Sequence, residues 1–209
     1  MLDTAVIAFT TYFATIGPIE AAAIFAGLTP DNTAAQRRAM ALKGTLIGAS
    51  ILLVFALVGD LVLEQLGITL AALRAAGGIL LLVLGIEMVF ARSSGATSTT
   101  KDEASEAADK QDISVFPLAT PLIAGPGAIA ATMLLVAETG GDWGLHAVVI
   151  GALLVILALT YLLLLSAGQI QRLLGVTGLK VINRVLGILL AALAVQFIFD
   201  GVRESGIFQ

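Results

Sequence analysis

The chain has 209 residues, of which 58% are hydrophobic and 12% are charged, and it contains no cysteine. A soluble domain carries about 25% charged residues, so this chain lacks the polar side chains that a water-exposed surface needs. Composition therefore excludes a nucleic-acid-binding protein and a disulfide-stabilised secreted domain, and the single histidine, His146, excludes a multi-histidine metal site. The remaining class is a membrane protein that crosses the bilayer several times.

Six apolar stretches are long enough to cross the hydrocarbon, which takes about 20 helical residues. In chain order they are residues 2–28, 40–63, 68–91, 113–137, 145–168 and 181–202. The N-terminal stretch has no basic segment before it and carries Asp3, so we interpret it as an uncleaved span and not as a signal peptide. The sequence therefore predicts an all-α membrane protein with six transmembrane helices.

The basic residues predict the orientation of these spans. Nine of them flank the first, third and fifth connections, namely Arg37, Arg38, Lys43, Arg92, Lys101, Lys110, Arg172, Lys180 and Arg184. Only Arg74 and Arg203 fall on the opposite side. Because cytoplasmic loops are enriched in Lys and Arg, we expect the odd-numbered connections in the cytoplasm and both termini outside.

Residues 92–112 form the longest polar segment and are rich in Ser, Thr, Ala and acidic residues. This composition is typical of a flexible linker, here cytoplasmic, although an acidic ligand site is an alternative interpretation. The linker divides the chain into a first three-helix unit, 1–91, and a second, 113–209.

The two units resemble each other at an offset of 108 or 109 residues. Residues 66–69 match 174–177, residues 78–81 match 187–190, and a Gly-Pro pair recurs in the first and fourth spans. Since each unit holds three spans, the second unit begins on the opposite side of the membrane, and the units form an inverted repeat. Inverted repeats are typical of secondary transporters, which bind substrate where the repeats meet.

Gly17-Pro18 and Gly125-Pro126 lie within the first and fourth spans, and proline removes an intrahelical hydrogen bond. We predict that both helices break there, although two simple kinks are the alternative. A helix that restarts exposes N–H groups and a partial positive charge, which attract a carboxylate. The predicted substrate-binding residues are Thr15, Gly17, Pro18, Glu20, Thr120, Gly125, Pro126 and Gly127.

Glu20 is the acid in the first turn after the first break, where it either caps its own helix, carries a proton or faces a ligand ammonium. Arg74, Asn183 and Arg184 lie about two turns into the third and sixth spans and are candidate outer and inner gate residues. For Arg74 and Arg184, the alternative is that the side chains extend to the lipid headgroups.

The stretch from Phe116 to Ala128, which reads FPLATPLIAGPGA, resembles the signature of the MarC-type integral membrane proteins, also described as small neutral amino acid transporters. Residues 74–81 and 183–187 are similar to the third-span and sixth-span patterns of that family. At the first break the family commonly has Pro-Ile-Gly-Asn followed by another Pro, whereas this chain has Thr15-Ile16-Gly17-Pro18-Ile19-Glu20. The resemblance implies a six-span inner-membrane protein with broken first and fourth helices and substrates such as glycine or alanine.

The favoured hypothesis is a secondary transporter of small neutral amino acids that works by alternating access. Its partners are a small zwitterionic amino acid and the lipid bilayer, with no cofactor, metal or nucleic acid. The coupling ion is either H⁺ through Glu20 or Na⁺ through carbonyls of the unwound backbone. The alternatives are a non-transporting membrane scaffold and an exporter of other small metabolites. An intramembrane enzyme is disfavoured because the sequence has no HExxH motif and no phosphate-binding loop.

Overall fold

The computed structural model describes residues 1–90 and 112–206, without the side chains of 60, 62, 170–177, 179 and 180. The backbone of this part forms helices and no strand. The helices are α1 Leu2–Ile16, α2 Pro18–Leu28, α3 Ala34–Leu66, α4 Leu70–Phe90, α5 Ser114–Ile123, α6 Pro126–Ala137, α7 Trp143–Leu165 and α8 Ala167–Glu204. Apart from Asp112, the predicted linker lies outside the described residues.

Within the described residues, five stretches are long and apolar enough to cross a membrane: Leu2–Leu28, Ala34–Gly59, Leu70–Phe90, Trp143–Leu165 and Val181–Glu204. The first stretch consists of α1 followed by α2. The pair α5 and α6, bent by 52° at their junction, makes a sixth if the two cross as one span. The prediction of an all-helical protein that crosses the membrane several times is confirmed.

Local sequence explains where several helices begin. Thr33 precedes α3, and its N–H donates to Gln36 Oε1 (2.8 Å) while the Gln36 N–H donates to Thr33 Oγ1 (3.3 Å). This capping box starts α3 before the apolar stretch begins. Asp142 precedes α7 and accepts hydrogen bonds from the N–H groups of Gly144 (2.7 Å) and Leu145 (3.1 Å). Both caps supply acceptors for N–H groups that have no partner within the helix.

The start of α8 differs from the prediction. The apolar stretch indicates a span from 181, but the helix already begins at Ala167, and Ser166 alone separates it from α7. Gly67, which ends α3, has a left-handed backbone with φ 66°, whereas the chain at Gly175 remains helical. Glycine accommodates both conformations, so the residue type does not determine whether a helix ends there.

An antiparallel pair of helices, α4 and α8, forms the most extensive interface. The backbones touch where glycines face the partner helix. A Cβ atom added to Gly78 would lie 2.7 Å from the Ala194 carbonyl oxygen, and one added to Gly85 would lie 2.8 Å from that of Gly187. Such an approach is possible only without side chains, so these glycines fix the register of the pair.

The remaining helices form further interfaces, several of which do not involve this pair. α3 contacts α5, α6 and α7, and α7 also contacts α1 and α2. α2 packs against α8, and α6 packs against α4. Gly44 and Gly48 of α3 face α5, where a Cβ at Gly48 would lie 2.6 Å from Ile123 Cγ2. This pair of small residues therefore serves packing within the chain. A large cluster of buried apolar side chains, which includes Tyr12 and Phe25, lies between α1, α2, α3, α5, α6 and α7.

Candidate functional site

Two adjacent residues interrupt the helix between α1 and α2. Gly17 has a left-handed backbone (φ 57°, ψ 57°), and Pro18 is the first residue of α2. The Gly17 N–H donates to the Phe13 carbonyl (3.1 Å), which closes α1, and the Ala21 N–H donates to the Gly17 carbonyl (2.8 Å), which opens α2. Left-handed backbone is unfavourable for residues with a Cβ, so glycine is the suitable residue at this position.

A small cavity lies beside this junction. Its empty space, including the open mouth, is about 250 Å³. The residues that line it are Ala14, Thr15, Ile16, Gly17, Glu20, Ala21, Met88 and Leu122. The centre of a water-sized sphere can occupy only about 10 Å³ of it, which is room for about one water molecule. One wall is the α1–α2 junction, and the opposite wall consists of buried apolar side chains from α4 and α5.

Glu20 is the acidic residue of the cavity, and it is partly buried. Asn183 of α8 donates a hydrogen bond from Nδ2 to Glu20 Oε2 (3.1 Å). No side chain in the described part of the chain caps the N-terminus of α2, so Glu20 binds α8 and does not cap its own helix. Among the described residues, no basic side chain forms an ion pair with Glu20. Among these residues, the hydrogen-bond partner of the Glu20 carboxylate is therefore the neutral amide of Asn183.

Thr15 also lines the cavity, but its hydroxyl donates to the Thr11 carbonyl within α1 (2.8 Å). Thr132 of α6 bonds the Ala128 carbonyl in the same way (2.7 Å). Each hydroxyl therefore donates its hydrogen bond to a carbonyl of its own helix. Pro18 is buried but does not line the cavity, and its ring nitrogen has no N–H group to donate.

The junction between α5 and α6 is more irregular. Phe116 and Thr120 have extended backbone within α5, and Gly125 (φ −77°, ψ 170°) is extended before Pro126 opens α6. Of this region, Leu122 lines the cavity, and Thr120, Gly125, Pro126 and Gly127 do not. Gly127 instead packs against α4, where an added Cβ would lie 2.7 Å from Leu84 Cδ2. Three of the eight predicted binding residues therefore line the cavity, all of them from the first junction.

The candidate gate residue Arg74 lies at the far end of α4 from Met88. It is buried, with 9% of its surface exposed. Its guanidinium donates to both carboxylate oxygens of Glu138, with 2.9 Å between Nη2 and Oε2, and also pairs with Glu204. These contacts tie α4 to the C-terminal ends of α6 and α8. Arg74 therefore forms an ion-pair cluster within the protein, whereas Arg184 is exposed.

Sequence reasoning missed several of these residues. Glu138 and Glu204 had a usable signal, because charge patterning assigns them to the same side as Arg74, and a buried arginine needs carboxylates. No feature of the sequence distinguishes Met88 and Leu122, because Met and Leu occur throughout any apolar core. Only packing decides which apolar side chains border a cavity.

The family model described as MarC family integral membrane protein matches residues 2–205. Among curated proteins, a UPF0056 membrane protein of Methanocaldococcus jannaschii is 39% identical over 200 residues, covering 96% of both chains. The UPF0056 membrane protein YvbG of Bacillus subtilis is 40% identical, covering 93% of this chain and 92% of its own. The UPF0056 inner membrane protein MarC of Escherichia coli is 32% identical, covering 90% of this chain and 88% of its own.

No solved structure shows a significant match to the chain. The family match nevertheless extends over both helical units and both glycine-proline junctions. This protein belongs to the MarC family of integral membrane proteins.

Proposed function

We propose that this protein is a secondary transporter of small neutral amino acids, of the glycine and alanine class, in the inner (plasma) membrane. The observation that carries the proposal is the small cavity at the α1–α2 junction, which combines a carboxylate, unwound backbone and short apolar side chains. A zwitterion needs a site of this kind: Glu20 attracts its ammonium group, and helix N-terminal N–H groups attract its carboxylate. The Escherichia coli relative is named as an inner membrane protein, which supports the choice of membrane.

The proposal includes an inverted repeat, in which α1, α2, α3 and α4 correspond to α5, α6, α7 and α8. The packing supports it, because exchanging the two units maps one observed interface onto another. The contact of α2 with α8 corresponds to that of α6 with α4, and the contact of α3 with α5 corresponds to that of α7 with α1. Gly78 meets Ala194 and Gly187 meets Gly85, and both Gly78–Gly187 and Gly85–Ala194 are separated by the repeat offset.

The substrate is proposed to lie with its ammonium at Glu20 and its carboxylate toward the N–H groups that follow Gly17 and Gly125. Ile19 and Glu20 carry the first of these groups, and Gly127 and Ala128, neither of which lines the cavity in this structure, carry the second. Met88 and Leu122 limit the length of the substrate side chain, because both are more than nine-tenths buried and line the cavity. The limit favours glycine and alanine over larger amino acids.

Alternating access requires that each end of the molecule opens in turn. In the orientation expected from the basic residues, the Arg74 cluster with Glu138 and Glu204 closes the outer end. Asn183 and Arg184 lie toward the inner end, where Asn183 connects α8 to Glu20. Rocking of α2 and α6 against the α4–α8 pair would break these contacts one at a time.

Uptake of labelled L-alanine into proteoliposomes, with pH and sodium gradients imposed separately, tests the proposal. We expect saturable uptake by the wild type and a drop of about tenfold to hundredfold for Glu20→Gln, because a charge-assisted contact to the ammonium is lost. Glu64→Gln, at an exposed position near the end of α3, is the matched control and should retain uptake.

Absence of stereospecific uptake by a folded wild-type protein would favour the scaffold alternative. Efflux of other small metabolites without any response to alanine would favour the exporter.

A further inference from the structure

The last turn of α1 presents carbonyl groups without helical partners. In a continuous helix, the carbonyls of Ala14, Thr15 and Ile16 would accept from the N–H groups of residues 18, 19 and 20. Pro18 has no N–H, and the backbone hydrogen bonds found at the junction join Gly17 to Phe13 and Ala21 to Gly17. The three carbonyls thus have no backbone donor among the described residues. Carbonyls at a helix C-terminus point along its axis, here toward the junction.

The residues that carry these carbonyls border the same cavity as Glu20. Ala14, Thr15, Ile16 and Glu20 all line it. The negative end of the α1 dipole and the Glu20 carboxylate therefore act on the same space. Asn183 donates one hydrogen bond to the carboxylate and adds no positive charge. A membrane-embedded carboxylate without a cationic partner is unfavourable, so this arrangement favours either a bound proton or a bound cation, and the neighbouring carbonyls add ligands that only a cation uses.

The geometry points to a binding site for one small monovalent cation, either Na⁺ or the primary ammonium of a substrate, formed by the carbonyls of Ala14, Thr15 and Ile16 and the carboxylate of Glu20. Oxygen ligands suit both cations. A single carboxylate balances a single charge, whereas Ca²⁺ and Mg²⁺ sites commonly use several carboxylates or bound waters. Among the described residues, no group of three or more His, Asp or Glu side chains is placed to hold a metal ion.

This inference deepens the proposed function by naming the part of the cavity that binds positive charge. If the cation is Na⁺, the site binds the coupling ion. If the cation is an ammonium, the site fixes the orientation of the amino acid.

Thermal unfolding of the purified full-length protein tests the site without requiring transport. The probes are NaCl, ethylammonium chloride and glycine, each compared with choline chloride at equal ionic strength. For a ligand present at a hundredfold excess over its Kd, we expect Tm to rise by about 5–10 °C. A response to Na⁺ identifies the coupling ion as the source, and a response to ethylammonium and glycine alone identifies the substrate ammonium.

Two variants locate the response. Glu20→Gln keeps the side-chain shape and should abolish the rise in Tm, whereas the control Glu64→Gln should keep it. Pro18→Ala restores an N–H near the Ala14 carbonyl and should reduce the rise, whereas Pro30→Ala, in the exposed turn before α3, should not.

No response of the wild type to any probe, or a full response of Glu20→Gln, would overturn the inference. Alanine uptake by a protein that shows no such response would refute the cation site and leave the transporter proposal intact. A cation response without uptake would support the cation site and contradict the transporter proposal.

Discussion

Gly17 shows how a single residue creates the cavity. Its left-handed backbone allows α2 to begin directly after α1 ends, and that junction forms one wall of the site. We expect Gly17→Ala to lower the free energy of unfolding by about 1–2 kcal/mol, because a Cβ disfavours this conformation. Gly27→Ala is the control, since Gly27 lies within α2 with nothing within 4 Å of an added Cβ. Equilibrium unfolding in detergent measures both variants, and equal stabilities would contradict the assignment of strain.

Asp112 provides a prediction of pH dependence at the residue scale. Hydrogen bonds from Lys43 (2.7 Å to Oδ2) and Ser114 lower the pKa of Asp112 from its ordinary value of 3.8 to about 2. Because the folded pKa lies below the unfolded one, this carboxylate stabilises the fold above pH 4 and loses that effect between about pH 4 and pH 2. Both side chains are about half exposed, so the contribution is about 1 kcal/mol or less.

The measurement is the free energy of unfolding against pH for wild type and Asp112→Asn. The difference between them should shrink as the pH falls from 4 to 2. Asp31→Asn, in the exposed turn between α2 and α3, is the control. A difference that stays constant over this range would show that the pair does not contribute.

At the scale of elements, the α4–α8 interface depends on glycine. A Cβ added to Gly187 would lie 2.8 Å from the Gly85 carbonyl oxygen and 2.8 Å from Met88 Cβ. Because both are fixed parts of α4, Gly187→Ala must separate the helices, and we expect a loss of stability of about 1–3 kcal/mol. Gly151→Ala in α7, where no described atom lies within 4 Å of an added Cβ, should be close to neutral. Thermal unfolding measures the difference in stability between the two variants, and equal Tm values would show that the interface tolerates a methyl group.

The Arg74 cluster connects three elements, and its loss should loosen the ends of α4, α6 and α8. The chain contains no cysteine, so one introduced at Ala14 reports access to the cavity. In Ala14→Cys protein, the further change Arg74→Met should increase labelling by a membrane-impermeant maleimide added from outside, about severalfold. Arg203→Met is the matched control, because the Arg203 side chain is 79% exposed. Unchanged labelling would show that the cluster does not close this end.

At the scale of the whole molecule, the orientation in the membrane is testable with the same cysteine-free background. The basic residues predict that the end of α8 lies outside and that the connection between α2 and α3 lies in the cytoplasm. Ser205→Cys in intact cells should therefore react with an impermeant maleimide, and Asn32→Cys should react only after the membrane is permeabilised. The opposite pattern would invert the orientation and place the Arg74 cluster on the cytoplasmic side.

The sequence by itself determined the class of protein and its family. Composition and the length of the apolar stretches are sums over local residues, so they indicate membrane-spanning helices without knowledge of packing. The motif around Gly125-Pro126 was sufficient for the family resemblance, which the family match confirms. The ends of the helices were less predictable, because Gly67 ends α3 whereas α8 continues through Gly175.

Only the tertiary structure decided which side chains meet. Asn183 and Glu20 are 163 positions apart, and Arg74 and Glu138 are 64 apart, so no local pattern pairs them. Glu20 had three predicted roles, and the structure placed it on Asn183 in preference to its own helix end. Met88 and Leu122 became cavity residues because α4 and α5 are packed against the α1–α2 junction. Helix formation follows from chemistry within a few residues, whereas a site between helices depends on how distant segments pack.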